Sequence, residues 1–176
     1  MGESRVINWP DGGKCAKVIL TKTRSRTKDR EVFFFISPSR KVGAMPKTVE
    51  QAAVIPVRDG KICLVTSSGG GRWVIPKGMI DKGHTAAEAA AIEAWEEAGL
   101  FGSLSVDPLG SFKYVKAKRL HHVTVFLMSV TEIERDWPER FRQREWVEPK
   151  TAVRRLKEPG LRKIVESSFD FAVAGG

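Results

Sequence analysis

The sequence predicts an α+β fold, a three-layer α/β/α sandwich in which a mixed β-sheet lies between helices. Two observations predict it. Short apolar runs separated by turn sequences, as in β-strands, recur between residues 48 and 147. Two helical segments are mixed with these runs, one after Thr85 and one from Lys150 onward. Strands interspersed with two helices favour a sheet that is covered by helices.

The chain divides into a basic N-terminal extension (residues 1–47), a domain (48–170) and a short tail (171–176). The extension carries 11 Lys and Arg against 4 Asp and Glu, whereas the remainder carries 19 against 17. The extension has one apolar island, "EVFFFIS", and is expected to contribute one strand or helix to the surface. Its basic run "KTRSRTKDR" is typical of a solvated, mobile arm. The alternative is an arm that attracts nucleic acid or another polyanion, although no recognition motif accompanies it.

Composition excludes several protein classes. No apolar run approaches the roughly 20 residues that a membrane span needs, and no signal-peptide core is present near the start. Two cysteines, Cys15 and Cys63, do not make a disulfide framework or a zinc site. We therefore expect a cytoplasmic protein with reduced thiols and no membrane partner.

The first strands of the domain form a predicted hairpin. The runs "QAAVIPV" and "KICLVTS" are joined by Arg58-Asp59-Gly60, and an Asp-Gly pair is typical of a tight hairpin turn. A flexible "SSGGG" loop leads to "RWVIP", a short strand that ends at Pro76.

A helix follows this strand. Thr85, with Glu88 three residues later, predicts a capping box at its start, and Gly99 supplies its C-terminal stop. Beyond it, "LGSFKYVKA" and "HHVTVFLMSV" are predicted strands on either side of the basic turn "KAKRL". "REWVEP" is a short strand, and "KTAVRRLKEPGLRKIVESSF" is a helical segment interrupted at Pro159.

Three carboxylates lie on one stripe of the predicted helix. At about 100° per residue, Glu93, Glu96 and Glu97 share a face. No Lys or Arg lies between His84 and Leu100 to relieve their repulsion. A solvated acidic face and a magnesium site, which takes carboxylates plus substrate phosphates, are both compatible with this spacing. The residues that precede the carboxylates on the same stripe are small and would leave clearance for a loop: Ala86, Ala89 and Ala90. The residues on the opposite face are expected in the core: Ala87, Ala91, Ala94, Trp95 and Ala98.

The stretch from Gly78 to Leu100 resembles the Nudix hydrolase signature, G-x5-E-x7-R-E-U-x-E-E-x-G-U with U aliphatic. Gly78 opens the pattern, and Glu93, Glu96, Glu97 and Gly99 fall in register. The runs "LVTSSGGGRWVIP", "VTEIERDWPE" and "REWVEPKTAVRRL" resemble the diphosphoinositol polyphosphate phosphohydrolase branch of that family.

This resemblance implies a pyrophosphohydrolase that uses Mg²⁺ or Mn²⁺. By position in the motif, Glu93, Glu97 and the Gly78 carbonyl would ligate the metal, and Glu96 would accept the proton of the attacking water. A bound cation offsets phosphate charge and aligns an in-line displacement.

Two positions depart from the signature. His84 stands where the pattern has Glu, and Ile92 stands where it has Arg, so the ion pair that resembling proteins use to steady this helix is absent. We expect an active enzyme in which apolar packing of Ile92 replaces the pair. A catalytically weak, polyanion-binding relative is the alternative. Glu88 is expected to cap the helix rather than to replace the missing carboxylate. His84 is expected to be a loop residue, and ligation of a softer metal is the alternative.

A polyphosphorylated small molecule is the expected substrate. The basic turn places Lys118, Arg119 and His121 as candidate phosphate contacts, with Arg72 and Lys77 near the metal turn. A solvated hairpin tip is the alternative for the first three. Diphosphoinositol and dinucleoside polyphosphates both fit, and a nucleotide-sugar or nucleoside triphosphate is a further alternative. Trp73 and Tyr114 are the candidates to stack on a base, although Trp73 is also a candidate for the core.

Overall fold

The computed structural model describes residues 4–7, 16–19 and 48–169. The island "EVFFFIS", the basic run and the tail 171–176 lie outside these residues. Ten strands are described: β1 (Ser4–Ile7), β2 (Ala16–Ile19), β3 (Val49–Arg58), β4 (Lys61–Thr66), β5 (Trp73–Val74), β6 (Lys77–Met79), β7 (Leu100–Leu104), β8 (Gly110–Lys116), β9 (Arg119–Ile133) and β10 (Arg144–Val147). The helices in the same residues are α1 (Ala86–Ala98), α2 (Pro149–Arg155) and α3 (Pro159–Ser168).

Eight of the strands form one mixed sheet. Its main path runs β10-β4-β3-β9-β7, and β5, β6 and β8 pair with β4, β3 and β9 respectively. The central pair, β3 and β9, is parallel, whereas the other pairs in the sheet are antiparallel. The N-terminal extension contains two strands, β1 and β2, which pair with each other in antiparallel fashion, whereas the sequence predicts one strand or helix there.

The sheet carries a separate apolar cluster on each face. Because successive side chains of a strand point to opposite faces, Ala52 and Val54 of β3 contact the α1 side. Ala53 and Ile55 contact the side that holds α2 and α3. Helices therefore cover both faces, and the predicted three-layer α/β/α arrangement is confirmed. Pro159 interrupts the C-terminal helical segment as predicted, since it is the first residue of α3.

Local signals placed the turns and the cap correctly. Asp59 and Gly60 have φ values of 51° and 74°, as the tight β3–β4 turn requires. The Thr85 side chain accepts a hydrogen bond from the Glu88 backbone N–H, and the Glu88 carboxylate accepts one from the Thr85 backbone N–H, which completes the capping box. Gly99 ends α1 in the left-handed region with φ 61°.

Three predictions about elements need correction. The "LFGSL" run was not predicted as a strand, yet it forms β7 along one edge of β9. The "RWVIPKG" run forms two strands: β5 ends at Val74, two residues before Pro76, and Lys77 begins β6, which pairs with β3. Ala89 and Ala90 are buried in the core instead of leaving clearance below the carboxylates. The reason is that α1 lies across β3 and β6, so the carboxylate stripe borders the buried face.

The described residues bear on two of the predictions from composition, those about membrane spans and about cysteines. None of the helices there combines the length and hydropathy required to cross a membrane. Cys63 is a buried free thiol in the α1-side cluster, and burial raises its pKa to about 12, so it stays protonated at neutral pH. Cys15 lies outside the described residues.

Candidate active site

Gly78 and Glu93 are in direct contact at the centre of the site. Gly78 lies in β6, paired with Ala52 of β3, and Glu93 lies on α1. A Cβ atom on residue 78 would overlap the carboxyl group of Glu93. A side chain on residue 78 would therefore displace the Glu93 carboxylate from its present position. The structure brings these two predicted metal ligands together.

Glu97 is buried next to this pair, at 8% exposure. Its Oε2 accepts a hydrogen bond from the Lys77 backbone N–H at 3.2 Å, and its Oε1 accepts one from Arg142 Nη2 at 2.7 Å. Arg142 is also 8% exposed, and its Nη1 donates to the Thr66 carbonyl at 2.8 Å. The arginine thus joins α1 to the end of β4.

A fourth carboxylate enters from the segment between β9 and β10. Glu139 accepts a hydrogen bond from Arg142 Nε, and its backbone N–H donates to the Glu96 carbonyl at 3.0 Å. Glu96 itself is half-buried. Glu139 and Arg142 were not predicted from the sequence as site residues. They lie beyond the signature, and no spacing rule links them to it.

Burial and like charge dominate the electrostatics of these carboxyl groups. The pKa of Glu93 is raised to about 8, first by burial and then by the negative charges of Glu97, Glu96 and Glu139. Burial also raises the pKa of Glu97, against the opposing effect of Arg142. For Lys77, burial lowers the pKa, and the charge of Glu97 opposes that change. Glu93 therefore has more negative than positive charge around it, whereas Glu97 has Arg142 as a charged partner.

The donor chemistry fits a divalent cation. Carboxylate and backbone carbonyl oxygens are the ligands that magnesium and manganese prefer. Glu93 and Glu97, with the Gly78 carbonyl, would hold the ion, and the raised pKa of Glu93 marks a position where a cation would relieve repulsion. As the side chains stand, no three acidic, histidine or cysteine groups within the described segments converge closely enough to hold an ion.

A cleft of about 420 Å³ opens beside Glu97. Five cationic side chains line it, against the two carboxylates of Glu97 and Glu158. The cations come from the loop before β5, from β6, from β8, from the segment before β10 and from the α2–α3 connection: Arg72, Lys77, Lys116, Arg142 and Lys157. Arginine and lysine side chains are the groups that proteins commonly use to contact phosphates.

The predicted substrate residues divide into two groups. Arg72 and Lys77 line the cleft. Lys118 and Arg119 are exposed at the β8–β9 turn, where Lys118 has φ 60°, and they are not among the cleft residues. His121 stacks on Tyr114, with ring centroids 4.8 Å apart, and its Nδ1 lies 3.2 Å from Gln51 Oε1. The roles of these three remain predictions.

Lys116 and Lys157 line the cleft and were not predicted as substrate contacts. Lys116 is the first residue of the basic turn "KAKRL", but the sequence does not show which basic side chains of that turn face the cleft. Lys157 lies in the connection between α2 and α3, far along the chain from the signature. Only the folded arrangement brings the two to one cleft.

The aromatic rings of the cleft already have cationic or aromatic neighbours. Lys77 Nζ lies 5.8 Å from the centroid of the Tyr114 ring, in addition to the stacked His121. Arg155 Cζ lies 5.3 Å from the centroid of the Trp73 ring. Trp73 also packs against the α2–α3-side cluster, as anticipated. These contacts compete with stacking on a base.

The two positions that depart from the signature have simple surroundings. His84 is exposed, and its backbone N–H donates to the Asp81 carbonyl at 3.1 Å, as in a turn. Ile92 is half-buried. The charged contacts of Glu97 come instead from Arg142, which lies outside the signature.

A family model for the NUDIX domain matches residues 47–167 of the chain. The chain belongs to the Nudix family. Among curated relatives, this Nudix chain is 35% identical over 104 residues to diphosphoinositol polyphosphate phosphohydrolase 3-beta of Bos taurus. That match covers 57% of the chain and 62% of the relative. The match therefore spans less than two thirds of that relative's length.

A longer match extends the likeness. Diphosphoinositol polyphosphate phosphohydrolase 2 of Rattus norvegicus is 31% identical over 138 residues, which cover 76% of this Nudix chain and 69% of the relative. Among solved structures, the E. coli ORF135 protein has a TM-score of 0.59 at 21% identity, covering 74% of this chain and 96% of that one. The MutT Nudix hydrolase of Burkholderia pseudomallei has a TM-score of 0.54 at 22% identity, covering 68% and 97%. These two structures support the Nudix fold.

Proposed function

We propose that this Nudix protein is a divalent-cation-dependent pyrophosphohydrolase. It hydrolyses a phosphoanhydride bond in a highly phosphorylated small molecule, either a diphosphoinositol polyphosphate or a dinucleoside polyphosphate. The observation that carries the proposal is the cleft in which a buried acidic group, Glu97, meets a wall of five cations. A polyphosphate needs both features, because its reacting phosphate must be activated while its other phosphates are held.

The residues divide the work between binding and chemistry. Arg72, Lys77 and Lys116 bind and orient the phosphates. Glu93 and Glu97 would hold Mg²⁺ or Mn²⁺, which supplies positive charge to the reacting phosphate and to the leaving oxygen. Glu96 accepts the proton of the attacking water as the water oxygen bonds to phosphorus. The bond from phosphorus to the bridging oxygen then breaks, and the leaving phosphate carries away that oxygen.

Of the two substrate kinds, the contacts favour a densely phosphorylated ring over a molecule that contains bases. The rings of Tyr114 and Trp73 already have Lys77, His121 and Arg155 against them. A base would have to displace such a neighbour, whereas a phosphate can bind the cations where they are. The curated relatives named as diphosphoinositol polyphosphate phosphohydrolases support the same choice.

A catalytically weak, polyanion-binding protein is the second candidate. The substitution of both signature positions, by His84 and Ile92, favours it. It predicts tight binding of the same anions without turnover in any metal.

For either function, the basic segment 22–30 is a further candidate site for nucleic acid. We also propose a cytoplasmic location.

The test measures phosphate release from a diphosphoinositol polyphosphate and from a diadenosine polyphosphate, with Mg²⁺, Mn²⁺ or excess chelator. We expect metal-dependent turnover by the wild-type protein, and a loss of about a hundredfold or more in Glu96→Gln and Glu97→Gln. Glu88→Gln is the matched control, because glutamine retains the capping contact on the same helix. If the wild type and the two site variants share one metal-independent background, the proposed function is wrong.

A further inference from the structure

Arg142 makes three directional contacts with three different parts of the domain. Its Nη2 donates to Glu97 Oε1 at 2.7 Å, its Nη1 donates to the Thr66 carbonyl at 2.8 Å, and its Nε donates to Glu139. Glu97 lies on α1, Thr66 ends β4, and Glu139 lies between β9 and β10. One guanidinium group therefore fixes the position of a site carboxylate relative to the sheet.

Both members of the Arg142–Glu97 ion pair are nearly inaccessible to water, with side chains 7% and 10% exposed. A carboxylate at this depth is costly unless a charged partner and further donors are present. Arg142 supplies the charge, and the Lys77 backbone N–H supplies the second donor. A planar guanidinium with several donors suits such a site better than a lysine ammonium.

We propose that Arg142 is the positioning residue for Glu97 in this protein. The signature has a Glu–Arg ion pair at positions 84 and 92, and this chain has His84 and Ile92 there. Arg142 replaces that pair, so the charged partner of Glu97 comes from a residue outside the signature. The inference rests on the proposed function, in which Glu97 is a metal ligand. It replaces the sequence-based expectation that packing of Ile92 alone steadies the helix.

Arg142 also lines the cleft, so the test must separate positioning from substrate contact. The variants are Arg142→Met, Arg142→Lys and the matched control Arg140→Met, whose arginine is exposed and pairs with Asp136 on the surface. We expect Arg142→Met to lower kcat at least about tenfold and to change KM less than about twofold. Arg142→Lys should recover part of kcat, because it retains one charge but cannot reach all three acceptors.

Two kinetic outcomes overturn the inference. A rise in KM at unchanged kcat would mean that Arg142 acts on the substrate and not through Glu97. Equal kinetics in Arg142→Met and Arg140→Met, with both proteins folded, would mean that Arg142 does not position the site.

A second measurement does not depend on activity. Urea unfolding of the metal-free protein is compared for wild type, Glu97→Gln, Arg142→Met and the double variant. Arg142→Met lowers the folding equilibrium constant by some factor in the wild-type protein and by another in Glu97→Gln. If the arginine acts through Glu97, the second factor should be at least about tenfold smaller than the first. Additive effects of the two substitutions would contradict the inference. Absence of turnover in every wild-type assay would remove the proposed function, whereas an active wild type with additive substitutions would remove only the role of Arg142.

Discussion

The carboxyl group of Glu93 occupies the space that a side chain on residue 78 would fill. The backbone of strand β6 therefore lies directly against a side chain of helix α1, with no room between them for a further side chain. A single hydrogen-to-methyl change at residue 78 acts on the position of the carboxylate, although residue 78 offers no side chain of its own to the site.

Gly78→Ala is expected to reduce turnover by about a hundredfold or more, because the new methyl group displaces Glu93 and misplaced catalytic geometry is costly. The displaced group is the end of a flexible side chain, so the free energy of unfolding should fall by less than about 1 kcal/mol. Steady-state kinetics and urea unfolding measure the two effects. Gly69→Ala is the control, since a Cβ there meets nothing within 4 Å. Equal activity of the two variants would contradict the contact between residue 78 and Glu93.

The metal-free protein is expected to lose stability as the pH rises from 4.5 toward 8. The pKa of Glu93 rises from 4.5 to about 8 on folding. Between these values the folded chain keeps a proton on Glu93 that the unfolded chain has lost. The contribution of Glu93 to stability is therefore complete below pH 4.5 and is lost as the pH rises through about 8. The slope should be at most about 1.4 kcal/mol per pH unit for this group.

Urea unfolding in chelator at several pH values measures the slope. Glu93→Gln should flatten it, whereas Glu132→Gln, at an exposed position, should leave it unchanged. Added Mg²⁺ should restore stability most at the higher pH, where the carboxylates are ionised and can bind it. A slope that is identical in wild type and Glu93→Gln would be evidence against the buried, repelled carboxylate.

Lys116→Met is expected to raise KM for the polyphosphate about tenfold with little change in kcat, because it removes one charge-assisted contact with the substrate. Lys163→Met, an exposed lysine of α3 that is not a cleft residue, is the control. Lys118→Met is measured in parallel. A comparable rise in its KM would support the role that the sequence predicts for the hairpin tip, and an unchanged KM would favour a solvated tip.

Arg144→Met is expected to lower the free energy of unfolding by about 2 kcal/mol. The Arg144 guanidinium donates to the Ala98 carbonyl at the end of α1 and to the Glu134 carbonyl, and it lies 4.5 Å from the centroid of the Trp137 ring. Urea unfolding tests this, with Arg154→Met as the exposed control. Equal stability of the two variants would show that Arg144 does not cap the helix.

The parts that the sequence predicted correctly depend on neighbours in the chain. The capping box of Thr85 and Glu88, the Gly99 stop and the Asp59-Gly60 turn each involve contacts within a few residues. The carboxylate stripe follows from helical periodicity alone. Local patterns of this kind specify conformation before any tertiary contact forms.

The parts that were missed depend on contacts between distant segments. Arg142 binds Glu97 across a separation of 45 residues, and no pattern in the sequence encodes that pairing. Strand β7 is short and contains Gly102, so its own residues favour a strand only weakly, and its pairing with β9 decides its conformation. The burial of Ala89 has the same origin, since packing on the sheet selects which helix face is covered.

The parallel pairing of β3 with β9 brings residue 49 beside residue 121 and residue 57 beside residue 129. Gly78, Glu93 and Glu97 all lie in the long loop that this pairing closes. Closing such a loop costs chain entropy before its contacts form, so the rate of folding is governed by a non-local event. Refolding should therefore be slow compared with that of a helical bundle of equal size, and the carboxylates should acquire their final arrangement only after the two central strands have met.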